Sequence, residues 1–178
     1  MSTAVVSACT GGYNKTNADA DIMDSIKNDT LTTACDATYG RDTTIYEMPG
    51  YSLWYTCKLP AQYKADDSRM WTEHETYQES VNAVNVFVAN TSDTTLTFGR
   101  KWSLYFWNGR EWTSPETRGG MIIWEDDLAI SDEAPLLYCF RFPVGEYYCI
   151  KKGKYMITKD FVYTDGKELM LKAYFEVR

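Results

Sequence analysis

The sequence predicts an all-β protein: an antiparallel β-sandwich preceded by a small β-hairpin segment. Three observations predict it. The chain of 178 residues carries 14 Tyr, 6 Trp and 7 Phe, and flat aromatic side chains suit a pleated, half-buried surface. Apolar and polar residues alternate with a period of two over much of the span from Val84 to Val177, as in strands with one face buried. Turn signals punctuate that span, and about seven short strands separated by turns argue for a sandwich or barrel.

Within residues 31–70, Thr43-Thr-Ile-Tyr46 and Tyr51-Ser-Leu-Trp-Tyr-Thr-Cys57 read as two strands of a hairpin. Met48-Pro49-Gly50 is the turn signal between them. Leu59-Pro60 ends the second strand, because proline has no N–H to give to a ladder. A lone hairpin is marginal in water, so this one is expected to lean on the body that follows. Residues 71–178 form that body. Glu75-Thr-Tyr-Gln78 reads as an edge strand, and Val84, Val86 and Val88 alternate with Asn85, Phe87 and Ala89. After the Asn90–Asp93 turn come Leu96-Thr-Phe98 and Trp102–Trp107, with Trp102, Leu104 and Phe106 on one face. Asn108-Gly109 is a strong hairpin signal, and Glu111-Trp112-Thr113 returns from it. Met121–Trp124, Leu136–Phe142 and Lys154–Thr158 read as further strands, although strands in residues 113–135 cannot be placed by pattern alone. Asp165-Gly166 turns into the cleanest strand, where Leu169, Leu171, Ala173, Phe175 and Val177 face one way.

The order Val84–Asn90, Phe98-Gly99, Trp102-x-Leu104, Asn108-Gly-Arg-Glu-Trp112, Trp124, Gly153-Lys-Tyr-Met-Ile157, Phe161 and Ala173-Tyr-Phe-Glu176 resembles a bacterial immunoglobulin-like domain of envelope lipoproteins. The resemblance covers about residues 71–178 and implies an immunoglobulin-like antiparallel β-sandwich. Its Gly-Lys-Tyr-Arg-Ile-like signature carries Met156 here in place of the arginine. Tyr155, just after Gly153, stands where a tyrosine corner would bond a hydroxyl to upstream backbone, or where a plain core tyrosine would sit.

The N-terminal Val6-Ser7-Ala8-Cys9 is similar to a lipobox. That similarity implies cleavage before Cys9, lipidation of Cys9, and a cell-envelope location at the outer membrane or cell surface. The basic and most of the apolar part of a signal peptide are missing, which implies a start inside the signal or a truncated sequence. Residues 1–30 then comprise the lipobox remnant and an acidic tether, with too few large apolar residues to order itself. The alternative is a disordered N-terminus with a chance cysteine.

Four cysteines remain, Cys35, Cys57, Cys139 and Cys149. They allow three connectivities. Cys35–Cys57 and Cys139–Cys149 are favoured because each closes a local loop, worth about 3 kcal/mol in the chain-entropy account. The first would clip the hairpin segment. The alternative is four reduced thiols in a cytosol.

The net charge of −7 disfavours nucleic acid, which needs concentrated Lys and Arg, and also disfavours adhesion to anionic lipid. Membrane contact is expected only through the anchor at Cys9. No cofactor or metal is expected, since the cysteines lack zinc spacing and His74 is the sole histidine. A Ser-His-Asp or Cys-His arrangement would have to use His74, which lies between two acids without a nucleophile motif. Asp126-Asp127 could serve a glycosidase or calcium, but such runs are more often solvated loops. The chain is therefore expected to be non-catalytic, with a protein or glycan partner at the cell surface, or a structural stalk. The alternative is a carbohydrate-binding protein. Its ligand platform would be Trp107 and Trp112, because aromatic faces offer apolar area at low entropy cost. The plainer reading packs both tryptophans beneath residues 113–135 or against residues 31–70.

Overall fold

A computed structural model describes residues 43–44, 48–64, 67–130 and 134–178. Cys9, Cys35 and the tether lie outside them, and the lipidation and the Cys35–Cys57 pairing lie outside with them. The described residues build two sheets. The first contains β1 (Thr43–Thr44), β2 (Leu53–Lys58), β3 (Arg69–Thr72), β5 (Val84–Asn90) and β10 (Leu136–Phe142), in the order β1-β2-β10-β5-β3. The second runs β4 (Thr76–Tyr77), β12 (Glu168–Val177), β11 (Gly153–Tyr163), β6 (Leu96–Gly99), β9 (Leu128–Ile130). In that sheet β7 (Ser103–Trp107) also pairs with β11, and β8 (Trp112–Thr113) pairs with β7.

The alternation read from the sequence separates inner from outer faces. Val84, Val86 and Val88 point inward from β5, and Tyr138, Phe140 and Phe142 from β10. Facing them are Leu104, Tyr155, Ile157, Phe161, Leu171, Ala173, Phe175 and Val177. Phe98 joins the layers, with its ring 5.3 Å from Phe140 and 6.0 Å from both Tyr138 and Phe161. Burial of such side chains supplies the main drive for folding.

The hairpin expected to lean on the sandwich is joined to it by a ladder. β2 pairs with β1 on one side and antiparallel with β10 on the other, from Leu136↔Lys58 to Phe140↔Leu53. The Glu75–Gln78 edge strand is present as β4, parallel to the end of β12. Met121–Trp124, expected as a strand, has no ladder. Ile122 and Trp124 pack against the core while Met121 and Ile123 are 85% and 81% exposed. The strand of this region is β9, a little further on.

The Cys139–Cys149 disulfide is corrected: the two cysteines are not bonded to each other, and Cys139 is a buried thiol. Cys139 lies across from Phe87 and Tyr55, on strand positions that face away from the core. Cys149 follows the helical turn Val144–Tyr147 that leads out of β10 toward the second sheet. Burial pushes the Cys139 thiol up to about 12, which leaves it protonated and inert.

Two features tie the second sheet together. Tyr155, fully buried, accepts a hydrogen bond from the Lys151 N–H at 2.9 Å and donates one to the Lys151 carbonyl at 2.8 Å. This is the tyrosine corner. Tyr155→Phe removes both bonds and keeps the ring, so a loss of about 1–2 kcal/mol is expected in urea denaturation.

The other feature is a break along one edge of β11. β6 pairs there at Val162↔Thr97 and β7 at Thr158↔Ser103. Thr97 to Ser103 is six steps where Val162 to Thr158 is four, so two extra residues bulge out. Lys159 answers the break from inside. Its amine, 1% exposed, donates to the Gly99 carbonyl at 2.8 Å and the Lys101 carbonyl at 3.3 Å. It also lies 5.1 Å from the Phe140 ring centroid and 5.5 Å from that of Phe98.

Candidate contact surface

The β7–β8 hairpin places the two tryptophans. Asn108 Oδ1 accepts from the N–H groups of Arg110 at 2.9 Å and Glu111 at 3.0 Å. Gly109 takes φ 98°, which glycine adopts without steric cost. The tight turn sets the register Trp107↔Trp112. Ser103, Tyr105 and Trp107 alternate with inward Leu104 and Phe106, so Trp107 lies on the outer face of the second sheet.

There the rings of Trp107 and Trp112 stand 5.4 Å apart at 57°. Trp112 also meets Tyr174 of β12 at 5.8 Å and 52°. β8 and β12 are separated by β7 and β11, three strand spacings or roughly 14 Å. Both side chains must therefore lie along the sheet to touch. They cross the row Tyr105–Met156–Tyr174, and Met156 is only 7% exposed although it faces outward. Where the resembled signature carries arginine, an apolar methionine thus floors the cluster.

The ligand platform raised as the alternative reading for Trp107 and Trp112 takes the form of a faceted surface, since neighbouring rings are tilted by more than 50°. Trp107 and Trp112 are half-buried and Tyr174 is 55% exposed. Polar side chains border them. The row Ser103–Thr158–Lys172 lies on one side, and the pair Lys154↔Glu176 on the other. Sequence pattern placed Tyr174 outward on β12, but nothing in the sequence joined it to Trp112.

The other singled-out residues do not converge on a site. His74 is a surface residue, its side chain 60% exposed and Nε2 3.8 Å from Glu73 Oε2. Asp127 is held by Arg100 through bonds of 2.6 and 2.8 Å, and it accepts from the Tyr51 hydroxyl at 2.8 Å. Hydrogen bonds from Arg100, then from Tyr51, lower its carboxyl to about 2. That carboxylate is engaged as a structural clasp between the β9 approach and the Pro49–Tyr51 turn. Among the described residues no group of three or more His, Cys, Asp and Glu side chains is placed to hold a metal ion. No helix among them is long and apolar enough to cross a membrane.

Two sheets packed face to face, antiparallel except for β4 beside β12, with an aromatic cluster on one outer face, define a β-sandwich domain. The profile of the family described as Bacterial Ig-like domain matches residues 64–176. The chain belongs to that family. No curated protein matches it. One similar solved structure is the archaellum periplasmic stator protein FlaG from Sulfolobus acidocaldarius. It is 12% identical, covering 61% of this chain and 99% of that one, with a TM-score of 0.25. So slight a likeness carries no argument.

Proposed function

We propose that this protein is a non-catalytic contact module of the bacterial cell envelope, anchored by a lipid at Cys9, that engages carbohydrate through Trp107, Trp112 and Tyr174. The observation that carries the reading is the aromatic cluster itself. Three rings gather on an outer sheet face, bordered by Ser103, Thr158, Lys172 and Lys154. Aromatic faces stack on the apolar face of a sugar, and hydroxyl and ammonium groups beside them bond its hydroxyls. The Ig-like family supports a role in contact, and the lipobox-like Val6–Cys9 supports the location.

A glycan array probed with the full chain tests the ligand class. Saturable binding to a defined glycan is expected, and Trp112→Ala should weaken it at least tenfold while leaving the thermal midpoint within a few degrees. A silent array, or a variant that binds equally well, would refute the carbohydrate reading. Mass spectrometry of the native product tests the anchor, with an acylated Cys9 expected.

A further inference from the structure

We infer that β9 is an acceptor edge for strand addition by an extended segment of a partner protein, one with alternating apolar residues flanked by lysine or arginine. Among the described residues β9 has a single ladder neighbour, β6, with Thr97↔Ile130, Phe98↔Ala129 and Gly99↔Leu128. It stands at the end of its sheet. The other margin therefore offers backbone donors and acceptors to an incoming strand.

Natural edges are blunted by shortness, charge, proline or bulges on the strand. The Leu128-Ala-Ile130 strand is short, but it carries no charge, proline or bulge, and its outward side chains are 65% and 66% exposed. The contrast with β3, an edge of the other sheet, is direct. There the outward positions are exposed Arg69 and half-buried Trp71, and the arginine lies over the Trp71 ring at 5.5 Å. The apolar surface at β9 continues inward through the row Ile130–Thr97–Val162, where Val162 is 37% exposed. Earlier in the chain Met121 and Ile123 are also exposed, while Ile122 and Trp124 pack against the core.

Charge selects the occupant. Glu125, with its side chain 75% exposed, and exposed Asp126 precede the strand. Arg100 pairs with Asp127 and reaches Glu125 at 3.1 Å, and Asp126 has no share in that clasp. An acidic approach to an apolar edge complements a strand with basic ends. A second copy of this chain would bring the same acidic approach and another net charge of −7, so self-pairing is disfavoured.

The test titrates the full chain into three labelled decapeptides and reads fluorescence anisotropy. The first alternates Val and Thr between paired lysines at both ends. The second has glutamates in place of the lysines. The third keeps the lysines but places proline at two central positions. Saturable binding of the first alone is expected, with at least tenfold loss for the other two. The double variant Leu128→Lys with Ile130→Lys should lose binding at least tenfold while retaining its circular dichroism, since both side chains are exposed. Trp112→Ala should bind the first peptide normally, which separates this edge from the aromatic face. No binding, equal binding of the proline peptide, or an unaffected double variant would overturn the inference. So would a dimer in sedimentation that Leu128→Lys and Ile130→Lys dissolve, which would make the occupant a second copy.

Discussion

The protein is expected to gain stability as pH rises just above neutrality, and replacing Lys159 with methionine is expected to flatten that rise. Burial among Phe98, Phe140 and Phe161 pushes the Lys159 amine down to about 7, with nearby Asp160 opposing the shift only in part. In the unfolded chain a lysine titrates near 10.5. Between these values the unfolded chain holds a proton that the folded one has lost, so stability climbs as pH rises. Below about 7 both states are protonated and the cost of the buried charge is fully present. Above about 10.5 both are neutral and the cost is gone.

From pH 7 to 8.5 the gain from this group is roughly 1.5 kcal/mol. Denaturation in urea across that range should show it in the parent and not in Lys159→Met. The slope is the proper readout, because at any single pH the substitution has two opposed effects. It removes a desolvated charge, and it leaves the Gly99 and Lys101 carbonyls without their donor. A parent protein with no such slope would show that Lys159 reaches water.

Phe98→Ala is expected to be the most damaging single change in the core, costing about 3–5 kcal/mol in a chemical denaturation curve. The ring, 3% exposed, meets Tyr51 at 6.2 Å in addition to the three rings of the sandwich interior. Its loss opens a cavity at the junction of both sheets, where ladders fix the surrounding strands and limit collapse. It also strips one ring from beside the Lys159 ammonium, so the two substitutions should not be additive. A double-mutant cycle between positions 98 and 159, measured below pH 7 where the amine is charged, reads that coupling. An additive cycle would show that the ring and the ammonium do not interact.

How legible this architecture was varies with the kind of residue. β12 was read correctly because Leu169, Leu171, Ala173, Phe175 and Val177 keep strict alternation on its inner face, even with Met170 and Tyr174 outward, and the Asn108-Gly109 turn because few sequences can make it. The same alternation ran on through β11, but the reading stopped at Thr158. Lysine at position 159 looks like solvent-facing chemistry, and only tertiary packing reveals that it points inward to two carbonyls. β3 and β9 are too short for a period to declare itself. The Cys139–Cys149 pairing failed because closeness in sequence says nothing about which way side chains point. Within the candidate surface, Trp107 and Trp112 were found through the turn between them. Tyr174 was not joined to them, because it comes from a strand far along the chain and three spacings away in the sheet.

The bulge between β6 and β7 divides one border of the second sheet into two leaves hinged on a common spine, the β11–β12 ladder. The leaf formed by β7 and β8 bears the aromatic cluster, and the leaf formed by β6 and β9 bears the acceptor edge. Among the described residues no ladder crosses from one to the other, so fraying of either need not loosen its neighbour. Occupancy of the two surfaces should then be thermodynamically independent, and the module would work as a passive two-ended adaptor rather than a relay.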